Sequence, residues 1–158
     1  MIRLLLYLFA ATAWAQSTPS QYVLVVPASS KISGITELIA EATARPGELS
    51  YGSTGIAGGS YLAGELLARM TKTRLTHVPY KTRAAALADL LDGKLSFMFD
   101  TVVTSAPQVN GGKLRAFAVI GPSRAGVLPK VPTMAEAGFG GFEEEFARLI
   151  REARIGPE

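Results

Sequence analysis

The chain has 158 residues, room for one ordinary domain, and is 48% hydrophobic and 18% charged, the balance of a packed globule rather than a disordered chain. It contains no cysteine, which excludes disulfides, thiol catalysis, cysteine-ligated zinc and a lipid-modified N-terminal cysteine. Its formal charge is +3, and its basic residues are scattered without interleaved aromatics, which argues against nucleic acid as a partner.

Residues 1–15 read MIRLLLYLFAATAWA. Arg3 precedes an apolar run from Leu4 to Ala13, and Ala13-Trp14-Ala15 supplies a small-x-small pattern before Gln16. This predicts a secretory signal cut after Ala15, leaving a chain of charge +2. The run is too short for a stable bilayer span.

Tyr22 to Val26 (YVLVV) is a β-rich run stopped by Pro27. Residues 34–43 carry Ile35, Leu38, Ile39 and Ala42 at helical spacing, ended by Pro46-Gly47. LSYGS (49–53) is a strand leading into a glycine-rich loop, and Leu62, Leu66, Leu67 and Met70 mark one face of the helix that follows. RLTHV (74–78) is a strand closed by Pro79. Residues 82–93 predict a helix with Thr82 as N-cap, a Leu87/Leu90/Leu91 face and Gly93 past its end. KLSFMFD (94–100) alternates, which puts Leu95, Phe97 and Phe99 on one face. A short helix over 103–109, a strand over 114–120, a Thr133/Glu136 capping box and an amphipathic helix over 142–153 complete the chain. Strands alternating with helices predict an α/β fold, a mostly parallel sheet with helices on both faces. In such sheets ligands sit beyond the carboxyl ends of the strands. Two polar sites fall there: the loop from Ser53 to Ser60, and Asp100 with Thr101.

The loop, YGSTGIAGGS, spaces its glycines at 52, 55, 58 and 59. That is neither G-x-G-x-x-G nor a phosphate-binding loop ending in Gly-Lys-Ser/Thr, nor the G-x-S-x-G of a nucleophile elbow. What remains is flexible backbone, hydroxyls at Ser53, Thr54 and Ser60, and the positive end of a helix. A carboxylate or phosphate suits it; so does a plain connection whose glycines serve only turns. His77, the single histidine, could pair with Ser53 or Ser60 as a hydrolytic dyad, though a structural histidine is the plainer reading. The aspartates show no metal-ligand spacing. Asp100 is either an N-cap or a cleft contact for a ligand hydroxyl, amine or bridging water, and it repels a bare carboxylate. Lys81 could add a positive charge, but as an isolated lysine it reads first as solvated surface.

Three stretches run in an order that resembles the Bug family, the periplasmic substrate-binding proteins of tripartite tricarboxylate transporters: YGSTGIAGGSYLAGELL, HVPYKTRAAALADLLDGKLSFMFD and GGKLRAFAVIGPSRAGVLPKVPTMAEAGFGGFE. The resemblance covers 21–143. It implies one lobe of a type II periplasmic binding protein, whose loops hold a small carboxylate through backbone amides and hydroxyls. Carried over by motif, the ligand-binding residues are Ser53, Thr54, Gly58, Gly59, Ser60 and Asp100. Tyr61 stands where the family often has a histidine. The resemblance further implies a membrane permease as partner, no cofactor, no metal and no catalysis.

A P-F-x-A-G-G loop belonging to the family's first lobe is not found, so the expected organisation is a signal (1–15), a second lobe (21–143) and a helical tail (144–158). The exposed face left by a missing lobe favours self-association. The alternatives are a small secreted Ser/His hydrolase and a nonfunctional truncated paralogue.

Overall fold

A computed structural model describes residues 21–56 and 58–155. The signal reading of residues 1–15 lies outside them. Strand β1 (Tyr22–Pro27) leads to helix α1 (Ile35–Ala44), β2 (Ser50–Ser53), α2 (Gly59–Thr71), β3 (Thr76–Pro79), α3 (Arg83–Leu91), β4 (Met98–Thr101), α4 (Val102–Asn110), β5 (Leu114–Ile120) and α5 (Phe142–Ile155). Among the described residues no helix is long and apolar enough to cross a membrane.

β1 lies between β4 and β5 and is antiparallel to both, while β2 pairs in parallel with β3. A parallel bridge between Tyr51 and Phe97 joins the two ladders. Strands β2, β3, β4 and β5 therefore run in one direction, and β1 alone runs against them. Four of the five strands share the direction of the expected mostly parallel sheet, but β1 is central, so both of its pairings are antiparallel and the α/β sheet is mixed.

Both faces are covered, which explains why β1 reads as an unbroken apolar run. Leu24 and Val26 pack on one face with α1, α2 and α5. Val23 and Val25 pack on the other with α3, α4 and the segment carrying Ala125, Leu128 and Val131. On α5, Phe142 and Phe146 are buried, and Leu149 and Ile150 continue the same stripe. Thr82 caps α3, its side chain accepting from the Ala85 amide at 3.2 Å. The Thr133 hydroxyl accepts from the Glu136 amide at 3.1 Å, and there it closes a turn rather than opening a helix.

Two face assignments differ from the sequence reading. Leu95 packs on the face opposite Phe97 and Phe99, because it sits in a bend before β4, where two-residue alternation does not apply. Met70 is 40% exposed, in the last turn of α2, outside the core. On α3 the expected Leu87/Leu90/Leu91 face does pack on the core, joined by the fully buried Ala86.

Candidate functional site

β2 ends in Ser53, whose side chain is fully buried. Its Oγ lies 2.5 Å from His77 Nε2 and accepts from the Gly55 amide at 3.3 Å. His77 stands opposite Tyr51 in the β2–β3 ladder, flanked by the Tyr51 ring (centroids 5.3 Å apart) and the Tyr61 ring (4.8 Å). Burial lowers the basicity of His77, with Glu65 opposing. Glu65 itself accepts the Tyr51 hydroxyl, which burial and that bond make harder to ionise. The structure thus joins Ser53 to His77, as the dyad reading required. Among the described residues, however, no carboxylate bonds the imidazole, and the serine hydroxyl is spent on the loop and the ring.

Beyond Ser53 the loop enters α2. Gly58 is the N-cap, no side chain caps the helix, and the first turn holds no acidic residue. The first-turn amides of a helix have no acceptor within it, so this end is electropositive by construction. Thr54 is exposed, and Gly58 and Ser60 are half-buried. Gly58 has an ordinary backbone (φ −77°), and a Cβ there would lie 3.5 Å from the Gly55 carbonyl, normal contact. Gly59 differs. A Cβ on it would fall 2.9 Å from Tyr22 Cε2 and nearer still to Cζ and Oη, so the Tyr22 ring occupies the place of a side chain.

Asp100 stands in β4, the strand bridged to β2, near its carboxyl end and 2% exposed. The N-cap of α4 is Thr101, and Asp100 binds side chains instead. Its Oδ2 accepts from Ser105 Oγ at 2.6 Å and from Thr104 Oγ1 at 3.2 Å. Its Oδ1 pairs with the Arg83 guanidinium, which also donates to Thr101 Oγ1 at 3.4 Å. Arg83, at the start of α3, supplies the positive charge considered for Lys81, which is exposed.

Tyr22 connects the two halves. It is paired with Thr101 in the β1–β4 ladder, its ring lies against Gly59, and Phe146 meets it edge-on at 5.5 Å. Burial raises the pKa of its hydroxyl; Asp100 adds to the rise and Arg83 opposes it. The loop and Asp100 therefore lie at the same end of the sheet, the loop against Tyr22 and Asp100 with Arg83 on the face that carries α3 and α4, and sequence motifs single out neither Tyr22 nor Arg83 as site residues. Ile56 in the loop (74% exposed) and Val103 in the first turn of α4 (78%) are apolar side chains left open at that end. A shallow cleft of about 310 Å³ lined by Pro27, Ser30, Leu49 and Ser96 lies at the opposite end of the sheet, away from all of these groups.

Known proteins resemble this chain in sequence and fold. The chain is 40% identical over 136 residues to the UPF0065 protein in the tcbD-tcbE intergenic region of Pseudomonas sp. (strain P51), covering 85% of this chain and 40% of that one. The structure of periplasmic binding protein BugD superposes with a TM-score of 0.74 at 25% identity, over 87% of this chain and 52% of BugD. MatC from Rhodopseudomonas palustris with bound malate also gives 0.74 at 25% identity, over 85% and 50%. The chain spans about half the length of these solved structures, which fits a fold equivalent to a single lobe. Residues 12–150 match the tripartite tricarboxylate transporter family receptor (TctC), and the chain belongs to that family.

Proposed function

We propose that this chain supplies one wall of a periplasmic binding site for a small carboxylate and serves a tripartite transporter by presenting that ligand to its membrane permease. The carrying observation is the N-terminus of α2, entered by a glycine-rich loop at the carboxyl end of β2, with no side-chain cap and no acidic residue in its first turn. The ligand accepts from the Gly59 and Ser60 amides and from the Thr54 and Ser60 hydroxyls, while the Gly58 amide, donated to the Gly55 carbonyl at 3.3 Å, closes the loop beneath it. Ser53 shapes the loop from below, and Asp100 orders Thr104 and Ser105 behind it. MatC, bound to malate, makes hydroxy-dicarboxylates the first ligands to try. The function is binding without catalysis: Ser53 has no surface for attack on an ester. Export rests on the signal read in residues 1–15.

A good site buries about 70–90% of its ligand. One wall leaves the anion wet, so binding by this chain alone is weak, with a dissociation constant of about 1 mM or above. Self-association through the end that carries Ile56 and Val103 provides a second wall.

The test is a ¹⁵N NMR titration of the mature chain with malate. Amide shifts concentrated in 54–61, saturating in the millimolar range, support the reading. Shifts clustered elsewhere, or none up to tens of millimolar, reject it.

A further inference from the structure

The serine at the head of the loop sits between a base and a backbone carbonyl. His77 lies on β3, at the edge of the sheet, and its ring is half-buried. From β2 it faces Tyr51 and Ser53, and from α2 Tyr61 and Glu65; among the described residues Glu65 is the one charged group that acts on it. Ser53 is fully buried and has two acceptors within reach of its single hydroxyl proton, His77 Nε2 at 2.5 Å and the Gly55 carbonyl at 3.4 Å. The shorter contact is the stronger bond, so a neutral imidazole accepts the hydroxyl at Nε2 and carries its own proton at Nδ1. An imidazole with both nitrogens protonated has no acceptor left. Its Nε2 must then donate to Ser53 Oγ, and the serine must turn its proton to the Gly55 carbonyl.

We infer that His77 operates a proton latch on the loop: uptake of one proton reverses the Ser53–His77 hydrogen bond and ties the serine to the Gly55 carbonyl. The proton gained ends on Nε2, and the Ser53 hydroxyl keeps its hydrogen and swings it from the ring to the loop. Closing the 3.4 Å contact to an ordinary O–H···O length draws Gly55 in by about 0.6 Å. Two existing bonds carry the pull onward. The Gly55 amide donates to Ser53 Oγ at 3.3 Å, and the Gly55 carbonyl accepts from the amide of Gly58, also at 3.3 Å. Burial favours the neutral ring and Glu65 favours the charged one, so the latch is open at neutral pH and closes in acid. This goes beyond the carboxylate reading, because the loop responds with no ligand present.

The experiment follows the mature chain by NMR, without ligand, from about pH 8 to about pH 4.5. Imidazole ¹⁵N shifts place the proton of the neutral ring on Nδ1, and the Gly55 and Gly58 amides shift with the midpoint of the ring itself. Exchange of these amides with solvent, corrected for its intrinsic pH dependence, slows about three- to tenfold in the protonated state, the worth of one added hydrogen bond. Ser53→Ala abolishes both loop responses while His77 still titrates. A loop that senses only the nearby positive charge would respond equally without the hydroxyl, so a response that survives Ser53→Ala overturns the inference. A neutral ring protonated at Nε2 also overturns it, because the bond then already runs from His77 to Ser53 and has nothing to reverse. If Ser53→Ala does not fold, the unaltered chain decides: the Nδ1 tautomer together with a shared midpoint supports the latch, and the lack of either overturns it. Malate is absent throughout, so failure of the latch leaves the carboxylate reading standing, and failure of that reading leaves the latch standing.

Discussion

Gly59→Ala tests the packing that brings the two halves of the site together. The added methyl would stand 2.9 Å from Tyr22 Cε2 and closer to Cζ and Oη, where carbon atoms normally rest about 3.5–4.0 Å apart. The ring must move by about 1 Å, and Phe146 lies edge-on against it. Such overpacking costs about 1–3 kcal/mol. Alanine's better helix propensity returns about 0.5–1 kcal/mol, so the net loss is roughly 1–2 kcal/mol. Gly58→Ala is the control. Its methyl meets only the Gly55 carbonyl at 3.5 Å, and its cost is the loss of a favoured N-cap residue, about 0.5–1 kcal/mol. In a Tyr22→Leu background the obstacle is gone, and the Gly59→Ala penalty falls to below about 0.5 kcal/mol, a coupling that a double-mutant cycle isolates. Urea unfolding followed by far-UV circular dichroism measures all five chains. If Gly59→Ala is as stable as the parent, or loses as much without the tyrosine ring as with it, Tyr22 is not what forbids a side chain here. The result also governs ligand tests: a binding defect at Gly59 reports a displaced Tyr22 together with a blocked amide, whereas one at Gly58 reports the loop entry with the ring in place.

Three further outcomes follow from the same geometry. Ser105→Ala removes the 2.6 Å bond to the buried Asp100 carboxylate and lowers stability by about 1.5–3 kcal/mol in urea unfolding, the range for hydrogen bonds to charged groups. Thr82→Ala strips the α3 cap at a cost of about 1 kcal/mol by the same assay, with malate affinity unchanged if α3 merely loses a cap. The folded chain prefers neutral His77, because burial lowers its pKa below the unfolded value of 6.5, so the unfolded chain binds more protons as pH falls past that value. The stability His77 contributes is complete above pH 6.5 and is lost on descent toward the folded pKa; urea midpoints from pH 7.5 to 5 show this slope, and His77→Gln flattens it.

Elements whose signal is local are legible in the sequence. The Thr82 hydroxyl three residues before the Ala85 amide is enough to start α3, and the 142/146/149/150 stripe of α5 declares its buried face. β1 and β5 read as strands because both faces of each are covered. Periodicity carries no direction, however, so nothing in YVLVV tells that β1 runs against its neighbours. Periodicity also assumes a regular backbone. Leu95 breaks the alternation because the chain bends before β4 begins. Met70 fits the apolar spacing of α2, but a stripe cannot show that its last turn leaves the core exposed at that position.

The site divides along the same line. Glycines and hydroxyls in 51–60 locate a helix entry suited to an anion, because that suitability is a backbone property of the loop itself. Which glycine serves which purpose is invisible there, since the reason for Gly59 is a tyrosine ring on β1. Asp100 presents the sharper case. As a residue type it repels a bare carboxylate, whereas the family motif makes it a ligand-binding residue, and the sequence alone does not reconcile the two. Its charge is cancelled by Arg83, from the start of a helix that carries no other site residue, and its oxygens are occupied by Ser105 and Thr104. Charge at a binding site belongs to the assembled group of side chains rather than to any one of them. The aspartate and the arginine acquire their meaning only when β4 and α3 come together.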